Sequence, residues 1–394
     1  MSHLFRFVFR LITKLFLVFV MCRSGQAQSL ADELREYGIE TIPADRPTLY
    51  ISPPQRGAIK RPSLAALLAS QETGLMRLPA QPQPLGITPS GGEVELGRKL
   101  FFDKRLSLDG TVSCSSCHDP KKGWSDGLPL AVGINGRIGN RHSPTIINAA
   151  WSAHMFWDGR TIGTPTQSLL PLSNPDEMGQ QTEGQVIAKL RLIPDYVALF
   201  TKLYAIDPAQ GSAITGVNLA RAFAAFETTI VSVDAPIHRR LAGDENALTP
   251  DAEIGFKLFK KANCMDCHVP PLFTDHLFHN NGMEHAGKYR VTDQGRYNVI
   301  PAGTRSGFDM RAFKTPTLME VHRSAPYNHA GNFADLKRVL LHYNAGGARF
   351  DKRTDPNKDV RIRPLNLNAT QLAYFEVFMK EAFAGKNYPM IEEP

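Results

Sequence analysis

The chain carries the pattern Cys-x-x-Cys-His twice, as Cys114-Ser115-Ser116-Cys117-His118 and as Cys264-Met265-Asp266-Cys267-His268. Two thiols three residues apart can each form a thioether to one vinyl group of a porphyrin, and the adjacent histidine can then reach the iron. Each copy therefore predicts one covalently attached haem c, two in all. Other uses of the pattern fit less well. A dithiol redox pair does not need the histidine, and a zinc site needs four converging ligands, whereas the two motifs lie far apart in sequence. Their approaches also repeat. Glu95-Leu96-Gly97-Arg98-Lys99-Leu100-Phe101 precedes the first, and Glu253-Ile254-Gly255-Phe256-Lys257-Leu258-Phe259 precedes the second. The shared E-[LI]-G-x-K-L-F marks an internal repeat.

Residues 1–27 read as a secretory signal. Arg6, Arg10 and Lys14 supply a basic start, 15–21 an apolar run, and Ser24-Gly25-Gln26-Ala27 a small-residue cleavage site. The apolar run is too short for a membrane span, and no other segment offers one. The expected location is the periplasm, in keeping with thioether attachment outside the bacterial cytoplasm. Cys22 leaves with the signal, so haem attachment uses all four remaining cysteines and no disulfide framework is expected. The formal charge of +7 also changes with cleavage. Without Arg6, Arg10, Lys14 and Arg23 the balance is 41 basic to 38 acidic residues, a net of +3. Four haem propionates would bring it close to zero, which argues against a nucleic-acid partner.

The remaining length suits two haem domains and an extension. Residues 28–90 are rich in proline and read as an extended N-terminal arm with short helices near 30–37 and 63–71. A first haem domain is expected over 91–242 and a second over 249–384, with a C-terminal tail at 385–394. Thr249-Pro250 reads as an N-cap followed by proline at the first helical position. Asn368 with Gln371 reads as a capping box, opening a helix whose Leu372, Phe375 and Met379 face inward. Leu219, Phe223, Phe226 and Ile230 fall on one helical face. Alternating strand patterns are scarce. The fold class is mostly α, with two cytochrome-c-like domains and long loops at 119–148 and 280–315 where haem supplies much of the core.

Further stretches carry a resemblance. Leu96 to Asp103 leads to Arg105-Leu106-Ser107 and the first motif. Arg141-His142-Ser143-Pro144-Thr145, Phe156-Trp157-Asp158-Gly159-Arg160 and Asn174-Pro175-Asp176-Glu177-Met178 follow it. After the second motif come Phe278-His279-Asn280-Asn281-Gly282, Phe313-Lys314-Thr315-Pro316-Thr317-Leu318, Ala325-Pro326-Tyr327-Asn328-His329 and Tyr343-Asn344-Ala345-Gly346-Gly347. Over about residues 92–384 this resembles the bacterial di-haem cytochrome c peroxidase superfamily, in its MauG-like branch. The resemblance implies that the first haem meets hydrogen peroxide, with His118 as its proximal ligand. It implies Glu177 as general acid–base for O–O cleavage, Gln167 as a hydrogen-bonding pocket partner and Trp157 as an aromatic bridge between the haems. Singly, each could be an ordinary surface acid, turn residue or core aromatic; their joint spacing from His118 favours the functional reading.

Two departures from the orthodox peroxidase pattern are informative. Ile134 stands where peroxidases that need reductive activation carry a distal histidine, so an open five-coordinate first haem is expected. His142 is the nearby rival ligand. It occupies the position of an asparagine that, with backbone carbonyls at Ser324 and Pro326, implies an inter-domain calcium. A nitrogen in place of a hard oxygen weakens that expectation. At the second haem, His268 is the implied proximal ligand and Tyr343 the sixth, where orthodox peroxidases have methionine. A phenolate favours the higher oxidation states of iron, and a thioether favours Fe(II). The alternative is that Tyr343 only packs, and Met283, Met310 or Met319 ligates.

The expected function is a peroxide-dependent oxidoreductase that oxidises a partner, in the MauG-like manner at protein side chains such as those of a dehydrogenase. A second reading is a cytochrome c peroxidase that removes peroxide with electrons from a small cytochrome or cupredoxin. A third is a non-catalytic electron-transfer cytochrome.

Overall fold

A computed structural model describes residues 39–41, 49–51, 88–180, 182–204, 211–283, 293–347 and 355–394. The proposed signal and the helices expected near 30–37 and 63–71 lie outside the described residues. The chain divides into two units, 1–61 and 62–394. In the first, strand β1 (Ile39–Thr41) pairs antiparallel with β2 (Leu49–Ile51), a pairing the proline-rich sequence did not suggest.

The second unit is mostly helical. Its helices are α1 (Gly91–Phe102), α2 (Cys114–Cys117), α3 (Thr164–Gln167), α4 (Leu170–Ser173), α5 (Glu183–Arg191), α6 (Pro194–Leu203), α7 (Gly216–Glu227), α8 (Pro236–Leu241), α9 (Pro250–Lys261), α10 (Leu336–Asn344) and α11 (Ala369–Glu381). The strands are two-residue pairs: β3 (His154–Met155) with β4 (Thr161–Ile162), and β5 (Phe278–His279) with β6 (Phe313–Lys314). The expected caps are present. Thr249 accepts from the N–H of Ala252 at the start of α9. Asn368 and Gln371 form a reciprocal capping box at the start of α11. One expectation needs correction. Ile230 is buried but lies beyond α7, which ends at Glu227. The Thr228 and Thr229 hydroxyls donate back to the carbonyls of Ala225 and Phe226, offering the chain an alternative to further helix.

The sequence repeat is a repeat of packing. In α1, a Cβ on Gly97 would sit 1.9 Å from the Ala222 carbonyl oxygen of α7. In α9, a Cβ on Gly255 would sit 2.3 Å from the Tyr374 carbonyl oxygen of α11. Each glycine thus lets one helix press directly against the backbone of a later one. Leu100 and Phe101 in the first copy, and Phe256 and Phe259 in the second, bury their side chains beside these crossings.

The apolar interior does not divide where the two sequence halves meet. One cluster joins Phe101, Trp124 and Phe226 to Phe259, Phe378 and Phe383. A second, confined to the first half, joins Leu96, Leu100 and Phe223 to Leu190 and Phe200. Residues 385–394 are docked as well. The Trp124 indole N–H donates to the Pro389 carbonyl at 2.9 Å, Arg98 donates to the Glu392 carbonyl at 3.1 Å, and the Tyr388 hydroxyl donates to the Pro120 carbonyl. Among the described residues no helix is long and apolar enough to cross a membrane.

Candidate haem-binding and catalytic sites

Both Cys-x-x-Cys-His segments fold into a single tight turn. Cys114–Cys117 is α2, and Cys264–Asp266 is a 3₁₀ turn entered through left-handed Asn263 (φ 57°). In each, the histidine N–H donates to the carbonyl of the first cysteine, at 2.9 Å for His118 and 2.9 Å for His268. The turn brings both thiols and the imidazole to one side.

The imidazoles are held alike. Nδ1 of His118 faces the Trp124 carbonyl at 3.1 Å, and Nδ1 of His268 faces the Phe273 carbonyl at 2.9 Å. A carbonyl can only accept, so each Nδ1 carries the proton and each Nε2 keeps a free lone pair for a metal. Burial lowers both histidine pKa values and favours that neutral, ligating form. Trp124 and Phe273, both fully buried, hold positive φ values of 58° and 52°. Such a backbone is uncommon for a bulky residue. Here it occurs in both copies at the residue whose carbonyl orients the histidine.

The four cysteines form no disulfide. Burial pushes the Cys114 thiol far up and the Cys264 thiol up to about 12. A dithiol redox pair relies on a depressed thiol pKa, so the sites do not suit that use. Cys267 lies beside Asp275 and His279, a trio of possible metal donors. The imidazole nitrogens of His279 are already engaged, at 2.9 Å from Asp275 and 2.9 Å from Asp359. Those carboxylates raise the His279 pKa to about 10 against the opposing effect of burial, which keeps it cationic and a poor ligand.

One cavity of about 870 Å³ reaches both turns. All four cysteines, His118 and His268 line it, together with Trp157, Gln167, Glu177 and Tyr343. Paired thiols, tautomer-fixed histidines and a mainly apolar-walled cavity fit the requirements of two c-type haems.

Glu177 sits in the turn after α4. Asn174 Nδ2 donates to its Oε1 at 2.8 Å, and its backbone carbonyl accepts from the Ile134 N–H at 2.9 Å. Burial raises its pKa, opposed by Arg160 and by the Asn174 hydrogen bond. Ile134 is itself buried, and offers no ligand atom. Gln167 closes α3. Trp157 follows β3 and donates its indole N–H to the His142 carbonyl at 2.8 Å.

His142 is buried and held within the chain. Its Nδ1 donates to the Leu128 carbonyl at 2.7 Å, and its Nε2 lies 3.3 Å from Ser125 Oγ. This geometry lends no support to His142 as an iron or calcium ligand. Ser324 and Pro326, the other implied calcium contacts, line the same large cavity.

Tyr343, on α10, faces the cavity and accepts from Asn281 Nδ2 at 3.3 Å. Burial pushes its hydroxyl up to about 12. Met283, Met310 and Met319 do not line the cavity, and Met283 and Met319 are buried elsewhere. Tyr343 is therefore better placed than any of the three to face a group held by His268.

Sequence reasoning missed Glu227 and Lys314 among the cavity's lining residues. Glu227 is buried near Cys114, and desolvation raises its pKa to about 8. Its place on the buried face of α7 was the available signal. Lys314 stood inside a quoted motif without a role.

The pattern that describes di-haem cytochrome c peroxidases matches residues 92–246. The methylamine utilization protein MauG of Methylorubrum extorquens is 36% identical over 323 residues, covering 80% of this chain and 86% of that protein. The cytochrome c peroxidase Ccp of Escherichia coli is 34% identical over 274 residues, covering 68% of this chain and 57% of that one. Among solved structures, a MauG-like protein associated with microbial copper homeostasis aligns with a TM-score of 0.67 and 27% identity, over 80% of this chain and 97% of that one. With two Cys-x-x-Cys-His turns opening on one cavity, these matches make the chain a member of the di-haem cytochrome c peroxidase family and an enzyme of that family.

Proposed function

We propose that the chain is a periplasmic, MauG-like enzyme that reacts with hydrogen peroxide and passes the oxidising equivalents to a protein partner. The reading takes residues 1–27 as a cleaved signal, and 91–242 and 249–384 as the parts built around the first and second haem. Haem, when bound, supplies an iron that takes up peroxide and a store for two oxidising equivalents.

The residues divide the remaining work. His118 and His268 offer Nε2 to iron because Nδ1 is tied to a carbonyl in each. Ile134, in place of a blocking histidine, has no ligand atom and would leave a haem iron held by His118 open to peroxide. Glu177 takes a proton from one peroxide oxygen and returns it to the other, with Asn174 steering its carboxyl through Oε1. Gln167 offers an amide to the same space. Trp157, fixed through its N–H to His142, provides an aromatic path between the halves. Tyr343 gives the second site an oxygen donor, which needs deprotonation to ligate. A nearby ferric ion would drive that against the effect of burial.

The observation that carries the reading is the company Tyr343 keeps. It shares one cavity with His268 and Glu177, and Met283, Met310 and Met319, the three methionines weighed against it, do not line that cavity. The test is to add peroxide to the fully oxidised protein and follow both haem spectra. The proposal expects both to change together; a response confined to the first would refute sharing.

The second reading, peroxide removal with electrons from a small cytochrome or cupredoxin, is favoured by the Escherichia coli relative named a cytochrome c peroxidase. Fast steady-state turnover with reduced cytochrome c would select it. The observations lend calcium no comparable support, since His142 offers a nitrogen where that ion takes oxygen.

A further inference from the structure

Lys314 is a buried cation that the mechanism does not use. It ends β6, where its backbone N–H donates to the Trp157 carbonyl at 2.7 Å. Its Nζ donates to Ser152 Oγ at 3.0 Å and to the His154 carbonyl at 2.9 Å. An ammonium has three donors, so one N–H remains beyond these two neutral acceptors. The side chain lines the cavity that both Cys-x-x-Cys-His turns share.

No carboxylate among the described residues forms an ion pair with Lys314. Its titratable neighbours are basic or already paired. Lys314 disfavours the charged forms of His154 and His276, and Arg296 adds to the effect on His154. Asp275, beside His276, is held by His279. His154 Nδ1 is buried with no hydrogen-bond partner. Lys314 and His276 thus share the cavity wall, with His154 packed nearby, and Asp275, the carboxylate that acts on His276, is engaged by His279 and makes no ion pair with the lysine. Burial draws the lysine down to about 8, the expected result for an enclosed ammonium lacking an anion. An unpaired buried cation is costly, and a carboxylate placed against the spare N–H would offset that cost.

We propose that Lys314 is a binding residue for a haem propionate, pairing its ammonium with a carboxylate side arm of one of the two haems. Each haem attached at Cys114/Cys117 or Cys264/Cys267 brings two such arms into the cavity. The pairing would place a cation and its counter-ion next to the Trp157 backbone, where the two halves meet. The inference depends on haem attachment and not on the peroxide reaction, so its test needs no peroxide.

The test measures the midpoint potentials of both haems by spectroelectrochemistry from pH 5 to 10 in the holoprotein, Lys314→Met and Lys314→Arg. Haem content is checked in each. In Lys314→Met, one haem should fall in potential, because a cation that disfavours the ferric form is gone. The same haem should gain a new pH-dependent step, because its carboxylate now titrates without a partner. Lys314→Arg should keep both properties close to wild type. Unchanged potentials in Lys314→Met overturn the proposal. So does a fall that is uniform in pH, which marks a charge acting at a distance. If Lys314→Met does not assemble, the wild-type series decides. A break in potential near pH 8 that persists in Glu227→Gln means an unpaired lysine and overturns the pairing; no such break through pH 10 in Glu227→Gln supports it.

Discussion

The backbone N–H of Ile134 donates to the carbonyl of Glu177 at 2.9 Å. The residue proposed to stand where a blocking ligand would be is thus bonded to the segment carrying the proposed acid–base. Gly133 reinforces the contact, since a Cβ there would lie 2.1 Å from the Asp176 carbonyl. Ile134→His should therefore deliver an imidazole close to Glu177. The resting protein should shift from high-spin to low-spin signals in electron paramagnetic resonance. If about a tenth of the molecules stay open, the peroxide rate falls about tenfold. A high-spin spectrum unchanged by the substitution would mean that position 134 does not face the iron.

As the proposed acid–base, Glu177 should carry the pH dependence. Burial raises its pKa above the ordinary 4.5, so the carboxylate needed as a base forms at higher pH than usual. The rate constant for peroxide should rise with pH through that raised value. Glu177→Gln should flatten the rise and lower the rate by about 10²–10⁴-fold with the resting haem spectra intact. Stopped-flow absorbance at several pH values checks both effects.

Tyr343→Met exchanges an oxygen donor for a thioether at the second site. The second haem should rise in potential, and turnover with a reduced cytochrome should increase. Potentiometric titration would show the first effect and steady-state assays the second. An unchanged potential would mean Tyr343 is a packing residue only.

Glu227 sets a stability slope. Its carboxyl titrates near 4.5 in the unfolded chain and near 8 in the folded protein, because burial disfavours the anion. Between those values the folded state holds a proton that the unfolded state has released. Stability is therefore lost as pH rises across that window, by up to about 1.4 kcal/mol per pH unit. Glu227→Gln should flatten the slope, which urea denaturation of the holoprotein at pH 5 and pH 7.5 would reveal.

Gly97→Ala and Gly255→Ala test the helix crossings. Either methyl would collide with a backbone oxygen of the crossing helix, at 1.9 Å and 2.3 Å respectively. Each should cost about 1–3 kcal/mol of stability, read as a lower melting temperature. A neutral outcome at both positions would mean the crossings tolerate separation.

What the sequence made legible was whatever is written in neighbouring residues. The two haem motifs, the Thr249 cap and the Asn368–Gln371 box are local patterns, and their physics is local too. The mostly helical class followed from the same signals. Other features have no side-chain signature. The carbonyls of Trp124 and Phe273 orient the histidines, but any residue supplies a carbonyl. The isolation of Lys314 emerges only when β6 meets the Trp157 segment. Ile230 kept the helical spacing although the helix had ended, because periodicity does not register hydroxyls that bond backward.

The paired crossings at Gly97 and Gly255 separate two tasks that a cofactor protein often merges. Close backbone contact fixes the frame behind each pair of cysteines, while loops carry Ile134, Glu177 and the Asn281 partner of Tyr343. A frame of this kind lets single substitutions retune one iron without disturbing the other. Evolution can then make two identical beginnings unequal by small steps, and an engineer can do the same.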